Sequence, residues 1–447
     1  QTMRRVRCVP FQKGVVPMVA NAGGEANLTV ADCELFVSDR GTWIEGRTDF
    51  VRFTGCRFRG MFMAGRGCSA DGVILRDGRG YIVEGCDFRS VARRHGKILS
   101  RSVLLYDNGM RDTWLCDNVT RDVGAHPSVP GIDRNISEQY LFHSRGPRYG
   151  ICTVTKAGTD TIAIDPKTVY GGEENRYGPK LPGDEPIARG EWIALVVRGR
   201  GLGQWRVLTG RLGKRKTAWR LDRPWRVTPE PGARVSIMRA FRHHAVCRND
   251  VMPALTDDDI QPDMKAAGVY LYHHAVDNLV MGNRLRRLAV GVAIGSTFET
   301  PCYWNEIRQN RFERIAGRAR ATAHAPMVFN DHFRVPPRHA DDYPQHAYTL
   351  GNAFRANTGR DVNAIGLIGV SHPREWYRRD AAAGFVMNVV EGNRFEAVRD
   401  FGLAIDTVAN RPIVRRNHFE LPEGKPAVDV VEPEEPFAPI REGGMRR

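Results

Sequence analysis

Short runs of four to six β-branched or large apolar residues dominate the chain, broken by Gly, Asn and Asp. Few stretches sustain a 3.6-residue apolar period, so the pattern predicts many short strands rather than helices. One motif recurs among them: a small or polar residue, then Asn or Cys, any residue, then a large apolar one. It reads Gly282-Asn283-Arg284-Leu285, Gln309-Asn310-Arg311-Phe312, Gly351-Asn352-Ala353-Phe354, Gly392-Asn393-Arg394-Phe395 and Arg416-Asn417-His418-Phe419. Upstream, Cys33, Cys56 and Cys86 take the Asn slot, and Asn118 and Asn249 are looser members.

These members define about ten units of a repeat. The spacings run 23, 30 and 32 residues from Cys33 to Asn118, then 34, 27, 42, 41 and 24 from Asn249 to Asn417. A fixed core pattern with variable spacing predicts stacked coils whose loops differ in length. An inward Asn at a turn can hydrogen-bond its equivalents in the coils above and below, forming a ladder. Losing one rung leaves buried polar groups unsatisfied, at about 1–3 kcal/mol. Cys fits the same small slot without those bonds. The apolar residue two positions later enters the core, which is worth about 1.5–3 kcal/mol.

A second strand aligns in each coil: 72–77, 102–107, 138–143, 268–273, 291–296, 326–331, 365–370 and 402–407. Positions two and four are mostly apolar, which suits an inward face. After the strand ending at His143 the next ladder residue is Asn249, so residues 146–240 read as a small β-rich module looped out of one coil. The expected organisation is therefore 1–145 and 241–431 for two parts of one solenoid, 146–240 for the insertion and 432–447 for an acidic, Pro-containing tail.

The 447 residues are 42% hydrophobic and 26% charged, ordinary values that supply a long continuous core. A net charge of +15 favours a polyanionic partner. Nucleic acid is not expected, because no recognition motif accompanies the charge. The basic run from Gly210 to Thr217 lacks phosphate-loop spacing and reads as a charged hairpin. Nine cysteines with no CxxC pair read as small buried residues rather than disulfides. No 18-residue apolar run is present, so no membrane partner is expected. The chain starts at Gln1 without a signal peptide; a removed signal or a truncated start would fit an extracellular or periplasmic protein.

The Asn ladder, the Gly-Asn-x-Phe turns and the short strands together resemble the pectin-lyase-like superfamily of right-handed parallel β-helices, over roughly residues 28–145 and 241–431. The resemblance implies an all-β, right-handed parallel β-helix. It also implies action on carbohydrate, since that superfamily includes polysaccharide lyases, glycoside hydrolases, epimerases and phage tailspikes. No narrower family signature is present, so no catalytic residues carry over.

In a stacked solenoid, equivalent positions line one surface. Position six of the second strand gives Asp77, Asp107, His143, His273, Ser296 and Asp331; position five gives Arg76, Tyr106, Phe142, Tyr272, Gly295 and Asn330, with His274 and His332 alongside. Acid–base work on a glycan uses His, Tyr and carboxylates. The expected catalytic groups are thus His143, His273, Asp107 and Asp331, with Tyr106, Tyr272, His274, Asn330, His332 and Arg76 as substrate contacts. A lyase would abstract a uronate C5 proton with His or Tyr while Arg neutralises the carboxylate. A hydrolase needs two carboxylates at about 5–5.5 Å or about 6.5–9.5 Å. A non-catalytic glycan-binding or structural fibre is the rival class. No cofactor is expected; Asp257, Asp258, Asp259 and Asp263 form a candidate calcium cluster, without the EF-hand glycine. His273, His274 and His332 form a weaker candidate metal set. The oligomeric state stays open.

Overall fold

The computed structural model describes residues 1–9, 19–21, 25–37, 42–45, 48–60, 70–90, 99–106, 109–123, 138–143, 150–170, 184–213, 217–253, 267–296, 301–315, 325–331, 347, 349–370, 385–406 and 409–431. Outside the inserted module every named strand pair is parallel and joins successive coils, as in a parallel β-helix. An 11-stranded sheet runs up one side; within it Ile82–Glu84 pairs with Trp114–Cys116, then Ala245–Cys247, then Leu279–Met281. After the corner, Asp87–Ser90 pairs with Val119–Arg121 and Asp250–Met252. Further along the coil Ala70–Arg76, Leu99–Tyr106, Tyr140–His143, Ala267–Tyr272 and Val290–Ser296 stack in turn. Short strands such as Phe241–Arg242 and Ala275–Val276 close the circuit.

The ladder is continuous. Asn118 Nδ2 donates to Asn249 Oδ1 (3.0 Å), and the same bond links Asn249, Asn283, Asn310, Asn357, Asn393 and Asn417 in turn at 2.8–3.0 Å. The backbone N of each Asn donates to the same Oδ1, and the second amide hydrogen reaches a backbone carbonyl one coil back, as from Asn283 to Val246 O (2.8 Å). Each interior rung therefore satisfies its whole amide. Asn352 is not a rung of this ladder. It belongs to a second one five residues earlier in each coil, running Asn278, Asn305, Asn352, Asn388. The spacings of 42 and 41 mixed the two ladders; within the first, the rung after Asn310 is Asn357. Both ladders follow a left-handed residue, such as Trp304 (φ 61°) before Asn305 and Gln309 (φ 55°) before Asn310.

Cys33, Cys56 and Cys86 are buried free thiols in the slot expected for them, and Cys86 N donates to Asn118 Oδ1 (2.9 Å). Cys116 and Cys247 depart from the all-thiol expectation. They lie directly opposite on paired strands and form a disulfide. Their 131-residue separation hides this adjacency until the insertion is removed.

In the second strand, Val73, Leu75, Val103, Leu105, Val269 and Leu271 point into the main core, as the alternation predicts. Tyr140 and Phe142 also point inward, because Val103 pairs with Tyr140 and Tyr106 with His143. The sequence alignment of 138–143 is thus off by one residue, and such a slip swaps the faces. His143 takes position five, and Phe142 is a core residue. The outward row is buried as well: Ile74, Leu104, Leu141, Tyr270, Ala293 and Val328 form a second apolar cluster.

The insertion is a closed antiparallel barrel of Gly150–Ala157, Thr161–Tyr170, Trp192–Arg198, Trp205–Arg211, Ala218–Leu221 and Arg234–Arg239. Trp219, Ile162 and Val235 fill its interior, whereas Ile151, Ile193, Leu195 and Met238 join the β-helix core. The barrel is seated on the coils rather than tethered to them.

Candidate functional site

The strand register brings four expected residues into one outward line. Arg76 lies opposite Tyr106, Tyr106 opposite His143, His143 opposite Tyr272, and Tyr272 opposite Gly295. Parallel pairing without a shift makes their side chains stack. The Tyr106 and His143 rings are 5.4 Å apart at 20°, and those of His143 and Tyr272 are 5.5 Å apart at 27°. The Arg76 guanidinium carbon lies 5.3 Å from the Tyr106 ring and 5.7 Å from that of Trp43, one coil earlier. The line is a half-buried strip of guanidinium, phenol, imidazole and phenol, and the Trp43 indole, opposite Ile74 in the neighbouring outward row, reaches Arg76 from the side. Beside it on the same face runs the buried outward row, and Trp43, Tyr106 and Tyr272 pack against that cluster. Tyr270, within the cluster, meets Tyr272 edge-on at 5.2 Å, and burial holds its phenol far above the usual range, so it stays protonated.

His273 and His274 sit apart from the line. Both have left-handed φ (67° and 52°) and both are buried, turning the chain off the strand towards Ala275. His273 N donates to Gly295 O (2.8 Å), while His274 O accepts from Phe241 N (2.9 Å). The His273 ring lies flat on Tyr272 at 3.6 Å, so it supports the end of the line. The strand places Asn330 opposite Gly295 and Asp331 opposite Ser296, which extends the line by backbone register. Asp107, His332 and the aspartates at 257–259 and 263 lie outside the described residues. No group of three or more His, Cys, Asp or Glu able to hold a metal occurs among the described residues.

The barrel is joined to the coils at the residue that follows Arg76. Arg239 Nη2 binds Asp77 Oδ1 (3.0 Å), one residue past Arg76, and Glu191 Oε2 (2.8 Å). Arg189 joins Glu191 (3.1 Å) to Asp49 (3.0 Å), and Arg79 reaches Asp49 at 3.1 Å. Arg111 and Arg242 donate to the Arg189 and Gly190 carbonyls. Burial and the neighbouring Arg111 push Arg242 down to about 10. This chain of ion pairs fixes the barrel on the coils. Sequence reading missed it, since its members are scattered and follow no motif.

No family model and no curated protein matches the chain. Among solved structures it is similar to the Family 28 exopolygalacturonase of Yersinia enterocolitica, at 9% identity and a TM-score of 0.39, covering 90% of this chain and 46% of that one. It is similar to the tailspike protein of E. coli bacteriophage HK620 in complex with a pentasaccharide, at 9% identity and 0.46, covering 92% and 54%. A third similarity is to an alginate lyase from Paenibacillus sp., at 9% identity and 0.31, covering 90% and 93%. The chain spans about half the length of the exopolygalacturonase and tailspike chains. The strand register, not these likenesses, carries the fold. No helix among the described residues is long and apolar enough to cross a membrane.

Proposed function

We propose that the line from Arg76 to Tyr272, with Trp43 beside it, binds an acidic polysaccharide and cleaves it by β-elimination. The stacked Arg76, Tyr106, His143 and Tyr272 carry this reading, since a cation, an imidazole and two phenols are the groups that such a reaction uses. Arg76 pairs with the uronate carboxylate and stabilises the charge that builds there as the C5 proton leaves. His143 takes that proton. The C4–O bond breaks, a C4=C5 double bond forms, and a phenol of Tyr106 or Tyr272 protonates the departing oxygen.

The Asp107–Asp331 hydrolase pair fares worse. The rows of Tyr106 and Asn330 are four strand steps apart. At about 4.8 Å per step that is roughly 19 Å, beyond the about 6.5–9.5 Å of an inverting pair. An extracellular or periplasmic setting, where such polymers occur, remains part of this proposal. The test is incubation with polygalacturonate, alginate and neutral glucans, read by ultraviolet absorbance of new C=C bonds and by reducing ends. Both signals on a uronate polymer support the reading. Reducing ends without absorbance replace it with hydrolysis, and silence across the panel replaces it with binding alone.

A further inference from the structure

The barrel is the most basic part of the chain. Between Gly150 and Arg239 it holds 17 Lys and Arg against 9 Asp and Glu, a net charge of +8 out of +15. Part of that charge gathers at one end. Gln204 pins two loops side by side, its Oε1 accepting from Arg226 N (2.8 Å) and Val227 N (3.1 Å) and its Nε2 donating to Val227 O (2.9 Å). Arg206 braces them from within. It is buried, donates to Pro224 O (2.8 Å) and Trp205 O (2.6 Å), and lies over the Trp225 ring at 5.0 Å. The braced tip presents Arg198, Arg200, Arg223 and Arg226 to solvent.

Several arginines of the coils are bracketed by acids. Asp250 sits between Arg121 and Arg286, Glu313 between Arg284 and Arg311, and Glu391 between Arg355 and Arg415. At the tip the balance is different. Asp222 is 3.8 Å from Arg223 but also accepts from Val207 N (2.8 Å), and Glu230 accepts from Arg200 N (3.1 Å). Among the described residues no carboxylate pairs with the side chain of Arg200 or Arg226. The tip therefore keeps a positive field. It meets the coils at Trp304, whose Nε1 donates to Gly203 O (2.7 Å), while Arg239 joins the barrel to the coils at Asp77.

We propose that this arginine tip is a second binding surface, one that grips a carboxylate-bearing polysaccharide alongside the line. Guanidinium forks match carboxylates two bonds at a time. Single-stranded nucleic acid fits less well, because it needs open aromatic faces. Trp205 and Trp225 are buried, beneath Arg223 at 5.1 Å and beside Arg206. The inference shares the acidic-glycan reading of the line, but it is read by binding, without turnover.

The experiment uses the full chain, as wild type, R200Q/R226Q, R200Q/R223Q/R226Q and H143A. Affinity electrophoresis is run in polygalacturonate, in dextran and with a single-stranded DNA oligomer, at about 50 and about 300 mM salt, where screening differs strongly. Wild type and H143A are expected to be retarded by polygalacturonate alone, and less so at the higher salt. Both arginine variants should bind at least tenfold more weakly at unchanged melting temperature. Equal retention of the double variant overturns the proposal, as does DNA binding as tight as that of polygalacturonate. Absence of turnover by the wild type, with tip-dependent retention intact, overturns only the catalytic reading.

Discussion

Two stacks run along the same coils, one inside and one outside, and they differ in kind. The inner stack repeats a single residue from Asn118 to Asn417, and each interior amide closes all its hydrogen bonds on its neighbours. The outer stack changes at every coil, from Arg76 to Tyr106, His143, Tyr272 and Gly295. Where a side chain's partner is its own copy, identity stabilises. Where it faces outward, packing asks only for a fitting base, and the tip is free to carry chemistry. Regularity in a solenoid thus marks the scaffold, and departure from it marks the place to look for function.

The largest expected effect separates the two stacks most cleanly. His143→Ala should lower β-elimination by about 10²–10⁴-fold, the usual worth of a general base, while the thermal unfolding midpoint stays put. Asn310→Ala should do the reverse. It strips partners from Asn283 and Asn357, so chemical denaturation should show a loss of about 2–4 kcal/mol. Below the melting range its turnover per folded molecule should match wild type.

Over the first pH unit below about 6.5, a smaller effect concerns the end of the second ladder. His244 N donates to Asn278 Oδ1 (3.0 Å), and its Nε2 meets Met110 O at 3.1 Å. Burial pushes its imidazole down to about 3. The unfolded chain therefore binds one more proton between about pH 6.5 and that value. The contribution is complete above about pH 6.5 and falls as pH drops, by about 1.4 kcal/mol per unit. His244→Asn, which continues the ladder with its usual residue, should flatten this part of the stability–pH curve. The smallest effect belongs to Cys56→Ala. The thiol makes only weak contacts, to Val30 O (3.3 Å) and Thr54 O (3.5 Å), so denaturant titration should show a loss below about 1.5 kcal/mol.

Much of this scaffold is legible in the sequence, because the ladder couples a rare polar slot to an apolar residue two positions on. Its second copy is legible as well, in the five-residue Asn pairs 278/283, 305/310, 352/357 and 388/393. Reading only one Asn per coil let Asn352 stand in for Asn357. The slip at 138–143 has a different cause. Tyr140, Leu141 and Phe142 are all buried, on opposite faces of one strand. A strand covered on both faces loses its period-two signal, so only pairing with Val103 and Val269 fixes which face His143 takes. Residue types at the candidate site were readable for the same reason that its register was not. The Arg–Glu–Arg bracing of the barrel, by contrast, joins Asp49 and Asp77 to Arg189, Glu191 and Arg239, and no local pattern announces it.

The most direct test of the central claim pairs wild type with H143A and Y106A on polygalacturonate and alginate, following the ultraviolet absorbance of unsaturated products beside melting curves for all three. The account predicts absorbance growing with wild type, at least a hundredfold slower with H143A, and melting midpoints that coincide. Undiminished turnover in H143A with an intact fold would contradict it, and would move the chemistry away from the outer stack.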